Sequence, residues 1–395
     1  MSPNQHSQLS TRTSGVPFRA RFTYTHAMVK ALTRIEAACS VIDILPLPPD
    51  RVLLLRHEAR QRATRNSTAI EGNTLDSAEV GRAVGHPERS KSDMAQEVRN
   101  YWRALDWIEE QLEDHRNLTE DFIRELHAII IVRGHGRRGV RSEYRKNECP
   151  VVDSATRAID YGPPEPGDVP NLMRDLVAWA QSPAAADLPS PLRAGLLAHR
   201  FVSIHPFSDG NGRTARALAT VELWRTGYDM RGFLSLEEYY TPNLAAYYGS
   251  LQMGLPVNYY EGRHDPDHTR WLEFFCGAMA TGADALRKRA EAIHPQERRQ
   301  APWDNLHRTQ QQLLSKLMLR GMEDGPAACV FGPQDLVAWY GISASTAREW
   351  LGRWRMDGFV RPEREDAVRV RRYALTDLWQ ALLSEATHSE GRKKG

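Results

Sequence analysis

Cysteine is scarce and scattered. The four thiols, Cys39, Cys149, Cys276 and Cys329, form no CxxC pair. That excludes a disulfide framework and a cysteine zinc site and points to a reducing compartment. Lysine is rarer than its partner arginine, with seven Lys among 52 basic residues. Neither sign of charge dominates: 50 acids face those 52 bases, for a net charge of +2. The chain as a whole is therefore no polycation that coats nucleic acid, although a local basic patch remains open. No apolar run reaches the ~18 residues that a membrane-spanning helix needs. Met1 to Arg12 is polar and lacks the apolar stretch of a secretion signal. The expectation is a cytoplasmic protein with no membrane partner. No GxxxxGK[ST] loop is present to hold a nucleotide, and no internal repeat is visible.

The rest reads as a helical globular protein of 395 residues, 41 % apolar and 26 % charged, with length for two or three domains at roughly 100–200 residues each. Residues 1–20, rich in Ser, Thr, Gln and Arg, read as a loose tail. Apolar residues at helical spacing predict a helix over 24–39. Leu45 to Pro49 reads as an extended connector, with Asp50 capping the next helix over 51–71 and Gly72-Asn73 stopping it. Further helices are predicted at 93–114, 119–132, 168–182, 191–204 with Ser190 as cap, 213–226, 242–253 and 267–290. Residues 143–162, broken by the polar turn Asp153 to Thr156, predict a short hairpin. A polar stretch with two prolines, 294–304, reads as a linker. Beyond it, 305–386 predicts helices at 306–321, 333–340 and 344–357 and a two-stranded wing over 360–374. That is the order of a winged helix-turn-helix. Residues 387–395 read as a tail.

One segment carries chemistry: His205-Pro206-Phe207-Ser208-Asp209-Gly210-Asn211-Gly212-Arg213-Thr214-Ala215-Arg216. Gly210 and Gly212 allow backbone amides to turn toward a ligand, and a loop that ends at a helix N-terminus favours an anion. Arg213 and Arg216 lie three apart on the next helix, and two Arg beside an amide nest suit a polyphosphate. Asp209 is a hard oxygen ligand suited to Mg²⁺. His205 is the one group here that accepts a proton near pH 7. Phe207 reads as a plug that holds the loop on the core. Singly, each residue has a plain structural explanation; jointly, they describe phosphoryl or nucleotidyl transfer.

The segment resembles the HPFx[D/E]GNGRxxR motif of the Fic family, matched at all nine specified positions. The resemblance spans roughly 20–290. It implies a mainly α fold: an all-helical Fic core over 111–293 with a β-hairpin flap, preceded by a helical region over 21–110, plus the C-terminal winged helix-turn-helix domain. It also implies transfer of AMP from ATP to a Ser, Thr or Tyr hydroxyl of a target protein and of the enzyme itself. In that scheme His205 takes the hydroxyl proton, and Asp209 holds Mg²⁺ between the α- and β-phosphates. Gly210, Asn211 and Gly212 cradle the phosphates, with Asn211 at the α-phosphate. Arg213 contacts the β-phosphate and Arg216 the γ-phosphate. Retention of Gly212, where phosphate-transferring relatives carry Lys, favours ATP. Tyr247 and Tyr248 resemble residues near the family's adenine pocket, and plain core packing accounts for the same pair.

A second motif, Ser67-Thr68-Ala69-Ile70-Glu71-Gly72, resembles the family's inhibitory helix, [S/T]xxxE[G/N], here over 51–72. The resemblance implies that Glu71 pairs with Arg216, displaces the γ-phosphate contact and keeps basal activity low. The flap at 143–162 resembles the docking edge for the target protein, since a free strand pairs with an extended segment. A homodimer is compatible with the family. Residues 348–372 hold eight Arg against five acids, but 305–385 holds 11 bases against 10 acids. DNA binding through 305–386 thus stands beside dimerisation, target docking and a structural role. The competing reading of the whole chain is a DNA-binding regulator whose pocket senses nucleotide; a catalytic base such as His205 separates the two.

Overall fold

A computed structural model describes residues 18–114, 116–131, 139–152, 156–293, 306–325, 328–364 and 370–391. Helix α1 (His26–Ile44) starts where Thr25 accepts the Met28 N–H, and it buries Met28, Ala31, Ile35, Ala38 and Ile42 on one stripe. It runs past the expected stop at Cys39 because that stripe continues to Ile42. Helix α2 (Pro49–Ile70) begins at Pro49, with Pro48 at the cap and Asp50 inside the first turn. A proline at the first helical position forfeits no hydrogen bond, so the expected Asp50 cap is not used. Helix α3 (Ser77–Gly85) adds to the elements expected from sequence. Its two glycines hide it, although Asp76 and Glu79 form a capping box whose spacing is legible. Helices α4 (Asp93–Glu113) and α5 (Glu120–Ile131) come next.

The strands β1 (Val151–Val152) and β2 (Ile159–Tyr161) pair antiparallel, with Val151 opposite Tyr161 and Val152 opposite Ile159. Residues 153–155 of the expected turn lie outside the described residues. Helices α6 (Val169–Ala180), α7 (Pro183–Ala186), α8 (Ser190–Ile204), α9 (Asn211–Arg225), α10 (Leu244–Gln252) and α11 (Thr269–Glu291) complete this half. Ser190 is the first helical residue of α8 rather than its cap, and Pro189 takes the cap position. Helix α8 packs between α9 and α11. A Cβ on its Gly195 would stand 3.0 Å from Leu272 and 3.1 Å from Phe275 of α11, so glycine sets that close approach. The expected loose tail reaches only part way: Phe18 is buried, edge-on to Trp179 at 5.0 Å and beneath the Arg200 guanidinium at 4.9 Å. Residues 1–17 lie outside the described residues.

The C-terminal elements are α12 (Arg308–Asp324), α13 (Pro333–Tyr340), α14 (Ala344–Met356), β3 (Val360–Pro362), β4 (Tyr373–Leu375) and α15 (Asp377–Gly391). Strands β3 and β4 pair antiparallel, and Phe331 bridges to Tyr373 beside them. Helix α15 occupies residues read from sequence as domain end and tail. The expected linker, 294–304, lies outside the described residues. The elements beyond it do not stand apart. Helix α12 packs on α2, α3 and α4, and its Leu313, Leu314, Leu317 and Met318 belong to the same core as Leu53, Tyr101 and Phe201. A buried ionic group crosses the junction. Arg60 of α2 pairs with Asp106 and Glu109 of α4, and Lys316 of α12 pairs with Asp106. Gln312 donates to Glu109 at 2.9 Å. Burial of Lys316 and Asp106 this complete requires such pairing.

Candidate active site

The loop between α8 and α9 is built on His205 itself. This residue ends α8 in the left-handed region, φ 51°, with its N–H donating to the Phe201 carbonyl at 3.1 Å. A non-glycine residue there is strained. The strain is held by Arg145, whose side chain donates to the His205 carbonyl at 2.8 Å and whose N–H donates to the Pro206 carbonyl at 2.9 Å. The His205 Nδ1 lies 3.4 Å from the Val202 carbonyl. A carbonyl only accepts, so the contact sets the proton on Nδ1 and leaves Nε2 as the basic nitrogen. Burial lowers the ring's pKa to about 4, and it is neutral, hence able to accept a proton, at pH 7.

Phe207 is buried, as expected of a plug, and stacks on His127 with ring centroids 3.6 Å apart. Asn211 closes the loop: its amide donates to the Phe207 carbonyl at 2.8 Å and accepts the Phe207 N–H at 3.0 Å. Both ends of that side chain are thus engaged within the loop. The Asn211 backbone N–H lies at the start of α9. Gly210 has φ +75°, and a Cβ there would lie 2.6 Å from Ile131. Position 210 therefore admits only glycine. Asp209 points outward, its side chain 77 % exposed, with one oxygen accepting the Gly210 N–H and another bond from Arg213 at 3.1 Å. Among the described residues no cluster of three metal-ligating groups exists. A single exposed carboxylate fits Mg²⁺, which takes few protein ligands and completes its shell with phosphate oxygens and water.

Arg216 is buried and turned toward α2. Its Nε donates to Ser67 Oγ at 2.9 Å, and its Nη2 donates to the Ser67 carbonyl and to Glu71 Oε1, each at 2.8 Å. Burial opposes the charge on Arg216, but Glu71, with Tyr247 and Tyr101, more than offsets it and raises the pKa above the ordinary arginine value. Glu71 caps the C-terminus of α2, and Gly72 follows at φ +94°. The carboxylate lies over the loop: a Cβ on Gly212 would be 2.4 Å from Glu71 Oε1. The first turn of α9, where anions are drawn by free N–H groups, is thus covered by a carboxylate from α2.

The structure brings His205, Asp209, Gly210, Asn211, Gly212, Arg213 and Arg216 together with Ser67, Glu71 and Gly72. Tyr247 is buried, stacked on Tyr240 at 4.9 Å, with its hydroxyl 3.5 Å from Arg216. Tyr248 is 44 % exposed and donates to the Ile70 carbonyl of α2 at 3.2 Å. Both tyrosines therefore border the Arg216–Glu71 pair. Val151, Val152 and Ile159 of the hairpin are exposed, and Tyr161 ties the hairpin to the carbonyl of Ser203. Cys149 Sγ lies 3.4 Å from the Ser208 carbonyl, with no role in the constellation.

Sequence reasoning missed four residues. His127 Nε2–H donates to the Asp209 carbonyl, 2.8 Å, and its Nδ1 accepts from Ser142 Oγ, 2.7 Å, so it pins the loop from α5. Arg145 braces the strained turn at His205. Glu97 pairs with Arg213 and accepts from Asn73 at 2.8 Å, and Asn73 also donates to the Met94 carbonyl. Thus Glu97 ties α9 to the segment just after Glu71. These partners are far apart in sequence and match no motif.

Residues 117–223 match the model of the Fic/DOC family. The chain is 34 % identical over 178 residues to a protein adenylyltransferase Fic of Drosophila virilis, covering 44 % of this chain and 34 % of that one. It is 32 % identical over 204 residues to its counterpart in Drosophila willistoni, covering 50 % and 39 %. The chain thus spans little more than a third of the length of these curated relatives. Among solved structures, a Fic family protein from Desulfovibrio desulfuricans superposes with TM-score 0.56 at 23 % identity, over 91 % of this chain and 99 % of that one. A Fic domain containing signaling protein from Bacteroides thetaiotaomicron gives 0.56 at 24 %, over 67 % and 99 %.

Proposed function

From the match of residues 117–223 to the Fic/DOC family model, we propose that the chain is a protein adenylyltransferase restrained by its own Glu71. It transfers AMP from ATP to a Ser, Thr or Tyr hydroxyl of a target protein, and of itself. The bond from the hydroxyl oxygen to the α-phosphorus forms, the bond to the β-phosphate oxygen breaks, and pyrophosphate leaves. The proton goes to Nε2 of His205, which is neutral and oriented by the Val202 carbonyl. Once Glu71 withdraws, the free N–H groups of the first turn of α9 receive phosphate oxygens, and Arg213 and Arg216 balance the charge of the departing pyrophosphate. Asp209 would hold Mg²⁺, which neutralises phosphate charge when bound. The exposed edge of the hairpin offers main-chain groups to an extended target segment.

One observation carries the brake: Glu71 pairs with Arg216 and lies over Gly212. A carboxylate there competes with a triphosphate for the same guanidinium and repels it. The test is incubation of wild type, Glu71→Gly and Glu71→Gly/His205→Ala with α-labelled ATP and Mg²⁺, read by intact mass. Glu71→Gly gains AMP at least ~10-fold faster than wild type, and the double variant gains none. Equal labelling of wild type and Glu71→Gly sinks the brake, and label on the double variant sinks the base.

A second reading has its own observation. Helix α14 exposes Arg348, Arg353 and Arg355, with Arg353 3.2 Å from Glu349. A duplex phosphate backbone fits such a face, and DNA affinity that falls steeply with salt is its test.

A further inference from the structure

Between the α3–α4 connector, the start of α4 and the elements α12 and α13 lies a cavity of about 700 Å³. That is the size of a small-molecule site. His86, Arg89, Lys91, Arg99, Arg320 and Arg372 line it, together with Glu88, Asp324 and Asp335. The acids are engaged. Asp324 pairs with Arg89 at 2.9 Å and lies 3.1 Å from His86, and Asp335 pairs with Arg320 at 2.6 Å. Glu88 lies 3.3 Å from His86 and 3.7 Å from Arg89. Among the described residues, the carboxylate beside Arg372 is Glu363, at 3.8 Å. Lys91 and Arg99 have no carboxylate within ion-pair distance among the described residues. Arg99 instead spends its guanidinium on neutral oxygens, those of Ser90 at 2.8 Å and Gln96 at 3.1 Å. Burial without a counter-charge lowers its pKa. Among the described residues, the lining therefore carries positive charge, on Lys91 and Arg99, that no carboxylate offsets.

We propose that this cavity is an effector site for a phosphate-bearing small molecule, whose phosphate is received by Lys91, Arg99 and Arg372. Guanidinium groups bind phosphate in bidentate fashion, and Lys adds a mobile charge. The cavity shares a wall with the active site. The first two turns of α4 present Gln96 and Arg99 to the cavity, while Met94 and Glu97 of the same turns hold Asn73 and Arg213. Asn73 follows Glu71 by two residues. An anion that draws Arg99 away from Ser90 and Gln96 shifts these turns, and the shift reaches the segment that carries Glu71. Binding thereby loosens the Glu71–Arg216 pair and raises activity. This last step rests on the adenylyltransferase reading; the binding itself does not.

The experiment uses the full chain and reads both. Thermal unfolding is followed against inorganic phosphate, a hexose phosphate and AMP, with chloride at matched ionic strength as control. A saturable rise in Tm is expected in wild type and in Arg216→Ala, with the apparent Kd weakened at least ~10-fold in Lys91→Ala/Arg99→Gln. Lys91 is exposed, so Lys91→Ala alone serves as the variant that keeps the fold, and it weakens binding in the same direction. A stronger response to the hexose phosphate or AMP than to phosphate assigns an organic ligand, and an equal response assigns the free anion. No saturable shift with any of the three overturns the site, as does a shift lost in Arg216→Ala and kept in the double variant. The best-binding probe then raises self-labelling of wild type at least ~3-fold and leaves Glu71→Gly unchanged. Binding without that difference overturns the effector role alone.

Discussion

At the residue scale, the site depends on groups that do no chemistry. His127 fixes the Asp209 carbonyl and supports Phe207. In a Glu71→Gly background, His127→Ala should lower the labelling rate roughly 100-fold, the order of loss for a catalytic loop displaced by about 1 Å, while Tm changes little by comparison. Buried imidazoles also set an acid limit on stability. Burial lowers His57 to about 3 and His127, His205 and His268 to about 4, from an ordinary 6.5. The unfolded chain thus takes up protons first. The stability these neutral rings contribute is complete above pH 6.5 and is lost progressively as pH falls toward 4. Tm measured between pH 7.5 and 5 should fall on the acid side. His57→Phe should flatten that slope, since His57 Nδ1 has no partner among the described residues. The reactive residues were legible in sequence because the motif is contiguous. His127, Arg145 and Glu97 were not, because each reaches the loop from a separate element.

At the element scale, α2 and α4 join the active site to the C-terminal elements. Helix α2 delivers Glu71 at its C-terminal end and Arg60 to the buried ionic group farther back. Helix α4 meets both halves of that arrangement. Asp106→Asn should destabilise the protein by about 3–5 kcal/mol, the cost of leaving buried cations without their carboxylate, measured by urea denaturation. Lys316→Met should cost less than Asp106→Asn, because Glu109 still pairs with Arg60 and Asp106 keeps Arg60. The opposite order would show that Arg60 does not share Asp106 with Lys316. Helix periods revealed α2 and α4 in sequence. The charges at Arg60, Asp106 and Lys316 gave no warning of burial, since charged residues on helices usually face water.

At the scale of the whole molecule, the C-terminal half is part of the same core. Removal of residues 306–391 would uncover Trp102 and Val84, which share a cluster with Leu319, and leave Asp106 without Lys316. The truncated chain 1–293 should therefore have a lower Tm than the full protein, or aggregate, in contrast to the behaviour of an independent domain joined by a linker. Calorimetry of the full chain should give one transition for the same reason. From sequence, the polar stretch 294–304 and the change of helical pattern after it read as a linker and a further domain; the linker lies outside the described residues, and α12 beyond it packs on α2, α3 and α4. Composition along a chain does not report which surfaces meet in space.

The motif from His205 to Arg216, the Ser67–Glu71 spacing, the helical periods and the hairpin were all set locally, by neighbours within a few residues of one another. Those features are legible because helix faces, glycine turns and capping spacings are short-range consequences of the chain. Tertiary structure alone decided that the Glu71 carboxylate lies over Gly212, that His127 and Arg145 hold the loop in its strained turn, and that α12 closes against α2 and α4. Each of those contacts joins residues far apart in sequence, and only the burial of one shared core brings them within hydrogen-bonding distance.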